Sequence, residues 1–243
     1  MENAITYKVT GRYALFTDPL TKIGGEKCTL MIPTYQALKG ITESIYWKPS
    51  IIWIIDSVRV MKPIRTESKG IRPIKYSGGN DLAMYTYLSD VAYHVKAHFE
   101  FNKNRPDLSM DWNENKHYFI SKRCIDKGGR RDVFLGTREC QGYVTPCDFT
   151  NEIGYYDNMG EMEFGFQYHS ISYPDENGSG EMIANFWYPK MDNGVIQFCR
   201  LEECLRKHSI RKMQSNRFIY RDNFTGTEEE GLLDGYELQE VEK

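Results

Sequence analysis

The chain has 243 residues, 40% hydrophobic and 27% charged, with a formal net charge of −3; this is an ordinary soluble composition, long enough for one large domain or two small ones. Its longest apolar run, Ile51-Ile52-Trp53-Ile54-Ile55, is too short to span a bilayer, and Met1-Glu2-Asn3-Ala4 lacks the basic start of a secretory signal. Six cysteines, at 28, 124, 140, 147, 199 and 204, form no Cys-x-x-Cys pair and no zinc-like spacing with histidine, so reduced thiols, a cytoplasmic location, no metal and no membrane partner are expected.

In chain order, residues 5–16 predict a strand interrupted at Gly11. Pro33-Thr34 opens a helix whose apolar stripe is Tyr35, Leu38, Ile41 and Ile45, with Lys48-Pro49 as its stop. Residues 51–61 are β-branched and apolar, a buried strand, and the basic, glycine-containing stretch 63–80 is a loop or β-excursion. Residues 91–101 alternate: Val91, Tyr93, Val95, Ala97, Phe99 and Phe101 are apolar, and Ala92, His94, Lys96, His98 and Glu100 lie between them. A second helix is capped near Asp111, with Glu114 in a capping-box-like position, and ends at Gly128-Gly129. A short strand returns over 132–135. Strand, helix, strand, strand, helix, strand is the βαββαβ order of a ferredoxin-like or RRM-type domain, an α+β fold, assigned to residues 1–140. Short aromatic strands at 164–173, 182–188 and 195–198, separated by Asp/Asn/Gly turns, predict an antiparallel meander in a small β-sheet domain over residues 141–221.

Charge is unevenly placed. Residues 222–243 carry eight acids against Lys243, a net of −7, which leaves residues 1–221 at +4. That acidic tail is expected to be weakly ordered. The bases of the body fall in blocks that suit a phosphate backbone: Arg65, Lys69 and Arg72 within 59–75; Lys122, Arg123, Arg130, Arg131 and Arg138 within 116–138; and a third over 206–217. Any single block is equally well a solvated face.

Tyr46, at the end of the first helix, and adjacent Lys116 and His117, in the first turns of the second, are the candidate catalytic set. They combine a group that exchanges protons near neutrality, a fixed cation and a polar aromatic. RNA cleavage by its own 2′-hydroxyl is the leading chemistry that such a set serves. Each residue also has an ordinary reading: a buried tyrosine, a core histidine sharing a face with Ile120 and Cys124, a solvated lysine. His94 and His98 compete for the acid/base role from what reads as the polar face of their strand. Acidic residues do not cluster as a two-metal site requires, and no Walker loop, nucleophile elbow or dinucleotide fingerprint occurs.

The runs Gly11-Arg12-Tyr13-Ala14-Leu15-Phe16-Thr17, Pro33-Thr34-Tyr35-Gln36-Ala37-Leu38-Lys39-Gly40, Ile45-Tyr46-Trp47-Lys48-Pro49, Pro63-Ile64-Arg65 and Leu135-Gly136-Thr137-Arg138-Glu139 resemble the CRISPR-associated Cas-five proteins of subtype I-C (Dvulg), in the repeat-associated RNA-binding superfamily. The similarity covers roughly the first 200 residues. It implies an RRM-like domain followed by a small β-sheet domain. It also implies a metal-independent, cofactor-free endoribonuclease that cuts CRISPR precursor RNA at the base of the repeat hairpin. The protein is then expected to stay on the 5′ handle of the mature crRNA within a type I-C interference complex. The family's catalytic tyrosine, lysine and histidine fall on Tyr46, Lys116 and His117. A structural subunit that binds the handle without cutting is the alternative.

Overall fold

The computed structural model describes residues 3–215, 218, 219, 221–223 and 225, so most of the acidic tail lies outside the described residues. Strand β1 (Ala4–Ala14) buries Ile5, Tyr7 and Val9 on one face. It does not break at Gly11: a side chain there would collide with Leu135, so the glycine marks close approach within a continuous strand. After the single turn α1 (Pro19–Lys22), helix α2 (Tyr35–Ile45) starts at Thr34, whose hydroxyl accepts the Ala37 N–H at 3.1 Å. It buries the predicted stripe.

Strand β2 (Ile51–Val60) is followed by β3 (Thr66–Ile71), the excursion expected over 63–80. Strand β4 (Ala83–Phe101) is 19 residues long, and the predicted strand 91–101 is its second half. The first half pairs with β3, and Asp90, at φ 54, joins the two halves. A 3-10 turn (Pro106–Asp111) precedes α3 (Glu114–Asp126). The cap of α3 is Asn113, whose side chain accepts the Lys116 N–H at 3.1 Å; Asp111 ends the turn before it and is buried. The helix exits where Gly128 and Gly129 hold φ 84 and 109, with their N–H groups on the carbonyls of Ile125 and Cys124. The return strand is only β5 (Val133–Phe134), and β6 (Gln141–Pro146) follows.

The remaining strands are β7 (Glu161–Glu163), β8 (Gln167–Ser172), β9 (Glu181–Trp187), β10 (Lys190–Asp192), β11 (Val195–Gln197) and β12 (Arg206–Lys212), with the single turn α4 (Pro174–Asn177) between β8 and β9. They do not form one meander. β8 and β9 pair, but β11 adds to the edge of β2 and carries β10 and β7 with it; the third strand of the small sheet is the basic segment β12. The large sheet therefore runs β5-β6-β1-β4-β2-β11-β10-β7, antiparallel between neighbours, with β3 on the far half of β4. The whole is an α+β fold of a mainly antiparallel large sheet and a small second sheet. Helices α2 and α3 cover one face of the large sheet, over Tyr7, Trp53, Ile55, Tyr93, Val95 and Phe99. Among the described residues, no helix is long and apolar enough to cross a membrane.

Candidate active site

The end of α2 and the start of α3 meet over the C-terminal end of β4. At Tyr46 the backbone leaves the helix in extended geometry (φ −158, ψ 132) while its N–H still reaches the Thr42 carbonyl. The ring is thereby carried into the core, 0% exposed. Trp53 Nε1 donates to the Tyr46 carbonyl at 2.7 Å and fixes that bend.

His117, also 0% exposed, lies in the first turn of α3. Its Nε2 is 2.7 Å from the Asp111 carbonyl oxygen, and its Nδ1 is 2.8 Å from the Tyr46 hydroxyl. A carbonyl can only accept, so Nε2 carries the proton and Nδ1 accepts from the phenol. Phe99 and Phe101 present their rings near edge-on to the imidazole. Burial pulls the His117 pKa below its ordinary value. The Asp111 carboxylate and carbonyl oppose that effect, and Lys116 and Lys48 reinforce it.

Asp111 completes the array. It is 2% exposed, with Oδ2 accepting from Ser50 Oγ at 2.5 Å and standing 3.6 Å from His117 Nε2; Oδ1 is 3.4 Å from Lys116 Nζ. Lys116 is itself nearly dry, its side chain 9% exposed. Lys48 is a second buried cation, with Nζ donating to the Thr225 carbonyl at 2.9 Å. Phe218 lies against Trp47 and under the Arg105 guanidinium, so part of the C-terminal segment covers this end of the molecule. Sequence reading assigned Asp111 to a helix cap and Lys48 to a stop signal. The position of Asp111 five residues before Lys116, and of Lys48 two after Tyr46, was the available clue.

The other predicted contacts fall in two places. Arg130 and Arg131 donate their backbone N–H groups to the carbonyls of Ile45 and Ser44, at 3.1 and 3.0 Å, and so sit at the exit of α2 beside Tyr46, with both side chains exposed. Lys122 and Arg123 follow His117 on α3. Arg65, Lys69 and Arg72 belong to β3 and its flanks. Lys69 pairs with Tyr85 and caps the Tyr13 ring at 3.1 Å. Phe99 lies fourteen positions along β4 from Tyr85, about 45 Å of strand contour. Arg138 joins that distant group, because the turn at Gly136, φ 95, presses against the backbone of Leu15 at the end of β1.

Of the competing histidines, His94 is not on a solvent face: it is fully buried, 3.4 Å from Glu152, and burial lowers its pKa. His98 pairs with Asp56 at 2.8 Å, which raises its pKa. Donors suited to a shared metal lie elsewhere, where His169, Cys199 and Cys204 cluster, against the expectation of scattered thiols.

The family described as CRISPR-associated protein (Cas_Cas5), in its Cas5d form, matches residues 4–199. The chain belongs to the Cas5d family. A curated relative from Mannheimia succiniciproducens, the CRISPR pre-crRNA endoribonuclease Cas5d, is 30% identical over 224 residues, spanning 81% of this chain and 95% of the relative. The protein of the same name from Thermus thermophilus is 28% identical over 151 residues, 58% and 63% of the two chains. Two solved structures superpose closely: one described as a CRISPR-associated protein (TM-score 0.73, 37% identity), and SMU1763c from Streptococcus mutans (TM-score 0.71, 38% identity). Each covers 84% of this Cas5d-family chain and 96% of its own.

Proposed function

We propose that this Cas5d-family chain is an endoribonuclease that cleaves CRISPR precursor RNA at the base of the repeat hairpin, without a metal ion, by attack of the 2′-hydroxyl on the adjacent phosphate. It then remains on the 5′ handle of the mature crRNA as a subunit of a type I-C interference complex in the cytoplasm. The observation that carries this reading is the hydrogen-bonded series Tyr46 Oη, His117 Nδ1, His117 Nε2, Asp111, in a chain whose curated relatives bear the name pre-crRNA endoribonuclease.

In this reading the proton follows the hydrogen bonds. The Tyr46 oxygen takes the 2′-hydroxyl proton as its own passes to the neutral His117 Nδ1. The imidazolium so formed is steadied by the Asp111 carbonyl and, 3.6 Å away, its carboxylate. Lys116 and Lys48 supply positive charge for the pentacoordinate phosphate. As the bond from phosphorus to the 5′-oxygen breaks, that oxygen takes a proton from solvent water, giving a 2′,3′-cyclic phosphate and a 5′-hydroxyl. The imidazolium then returns its proton to solvent. Arg130, Arg131, Lys122 and Arg123 hold RNA next to the cut, and Arg65, Lys69, Arg72 and Arg138 hold it at a distance.

The fold reading that goes with this is a ferredoxin-like, RRM-type unit. Its support is that β6, β1, β4 and β2 lie side by side in that order, the 4-1-3-2 arrangement of a split βαβ pair. Residues 1–140 are assigned to the RNA-binding and catalytic part and 141–221 to a small β-sheet part; β8, β9 and β12 support the latter, while β6, β7, β10 and β11 lend strands to the large sheet.

The complete burial of Tyr46 and His117 favours one other reading, a handle-binding subunit that does not cut. Repeat RNA incubated with the purified chain and EDTA separates the two. Cutting with cyclic-phosphate ends is expected, and a 2′-deoxy nucleotide 5′ of the cut should abolish it. Intact RNA in the first arm, or cleavage of the deoxy substrate in the second, refutes the proposed chemistry.

A further inference from the structure

Some 16 Å along α2 from Tyr46, Tyr35 stacks on a second buried histidine, His169 of β8, with ring centroids 4.5 Å apart. His169 is 0% exposed. Its Nδ1 contacts Ser170 Oγ at 2.9 Å, and its Nε2 has no hydrogen-bond partner among the described residues. A buried polar atom left in that state is unfavourable, which a ligand would relieve. Beside it are the sulfurs of Cys199 and Cys204; a ring nitrogen and the two sulfurs all lie within 4.8 Å of one another.

We propose that His169, Cys199 and Cys204 bind one thiophilic divalent cation, Zn2+ by the character of the donors, and that this ion fastens the small sheet to the large one. The sulfur separation supports it. Two thiolates on a tetrahedral zinc, each about 2.3 Å from the metal, stand about 3.8 Å apart; Cys199 and Cys204 are 3.8 Å apart. Their spacing is set by the 3-10 turn between them (Leu201–Glu203), closed by Arg200 N–H on Glu203 Oε2 at 3.0 Å.

The histidine is aimed by its surroundings. Asn185 Nδ2 donates to Ser170 Oγ at 3.2 Å and to Ser172 Oγ at 2.8 Å. Ser170 Oγ, 2.9 Å away, can accept from an Nδ1–H, and the metal-bound form takes that tautomer, which leaves the lone pair on Nε2. The fourth position falls to water, for Cys199 lines a cavity of about 440 Å³ between α2 and the small sheet. Binding exchanges two thiol protons for the ion, so the filled site is neutral. His169 lies on β8 of the small sheet, and Cys199 follows β11 of the large one. A metal therefore ties the two sheets at the end of α2 remote from the Tyr46–His117 pair.

The test uses the untagged, reduced full chain with the metal alone. About one equivalent of Zn2+ should survive dialysis in the wild type and be lost in Cys199→Ser and in Cys199→Ser/Cys204→Ser. Co2+ in its place should show thiolate-to-cobalt charge transfer and the visible bands of a tetrahedral ion. Ser170→Ala should weaken retention roughly tenfold or more by releasing the imidazole. Equal retention by wild type and the double serine variant, or a cobalt spectrum without thiolate bands, overturns the assignment. So does a Cys199–Cys204 disulfide found by mass spectrometry in protein never exposed to oxidant. The Co2+ spectrum of the wild type decides the matter even if the serine variants fold poorly.

Discussion

Helix α2 sets a tyrosine against a buried histidine at each end, and the two pairs are chemically opposite. At Tyr46 both nitrogens of His117 are occupied, one by a phenol and one by a carbonyl with a carboxylate behind it. At Tyr35 the contact is ring on ring, and the imidazole keeps one nitrogen without a hydrogen-bond partner among the described residues, beside two sulfurs. Burial is the same in both cases, so burial does not tell the roles apart. Occupancy of the ring nitrogens does: a fully paired imidazole suits passing a proton along a line, and an imidazole with an open nitrogen facing thiols suits holding a metal.

The sharpest break of this contrast is His117→Ala. RNA cleavage should fall roughly 10³-fold or more while retention of repeat RNA in a gel-shift assay stays close to wild type. Equal loss of binding and cleavage would place His117 in the scaffold instead. Next in size is metal removal. A chelator should lower the melting temperature of wild type by several degrees, at about 2–4 °C per kcal/mol for a chain of this length. It should leave Cys199→Ser unmoved and the RNA cleavage rate of folded protein unchanged. A third comparison replaces each histidine with phenylalanine in metal-free protein. His169→Phe should be neutral or stabilising by about 1 kcal/mol, because it removes an orphaned polar atom, whereas His117→Phe removes the buried hydrogen bonds to the Tyr46 hydroxyl and the Asp111 carbonyl and destabilises by about 1–3 kcal/mol on thermal unfolding.

The pH response is a smaller effect and its sign is fixed. The folded pKa of His117 lies below its unfolded value of about 6.5. Its contribution to stability is therefore present above that pH and is lost as pH falls through it. Asp111→Asn removes a charge that holds the pKa up, so the acid limb of the pH–rate profile should move to lower pH; a shift upward would exclude His117 as the base. Smallest of all, Lys69→Ala should leave the rate at saturating RNA unchanged and reduce the salt slope of binding by about 0.7.

Much of this was legible in the sequence where one local pattern decides an element. The strand over residues 91–101, the stripe of α2 and the helix start at Thr34 fold as read, although Ala92 and His94 of that strand are buried as well. What sequence could not show was long-range. The partner of residues 195–197 is β2 and not the neighbouring aromatic strands, because an unpaired sheet edge is available there. Asp111 reads as a helix cap in one dimension, and its packing under Lys116 and Ser50 exists only in three. Cys199 and Cys204 match no metal motif by spacing because their third partner, His169, arrives from another strand. His94 reads as outward-facing because alternation says nothing of the residue 152 loop that lies over it.

The Gly-Gly-Arg-Arg turn after α3 has a mechanical consequence. The amides of Arg130 and Arg131 hold the last carbonyls of α2, and Tyr46 is the very next residue, while the two guanidinium groups reach outward. Under the proposed function, a pull on RNA held by those side chains would reach the phenol facing His117 through two amides and a few covalent bonds, linking the grip on the strand to the setting of the catalytic pair.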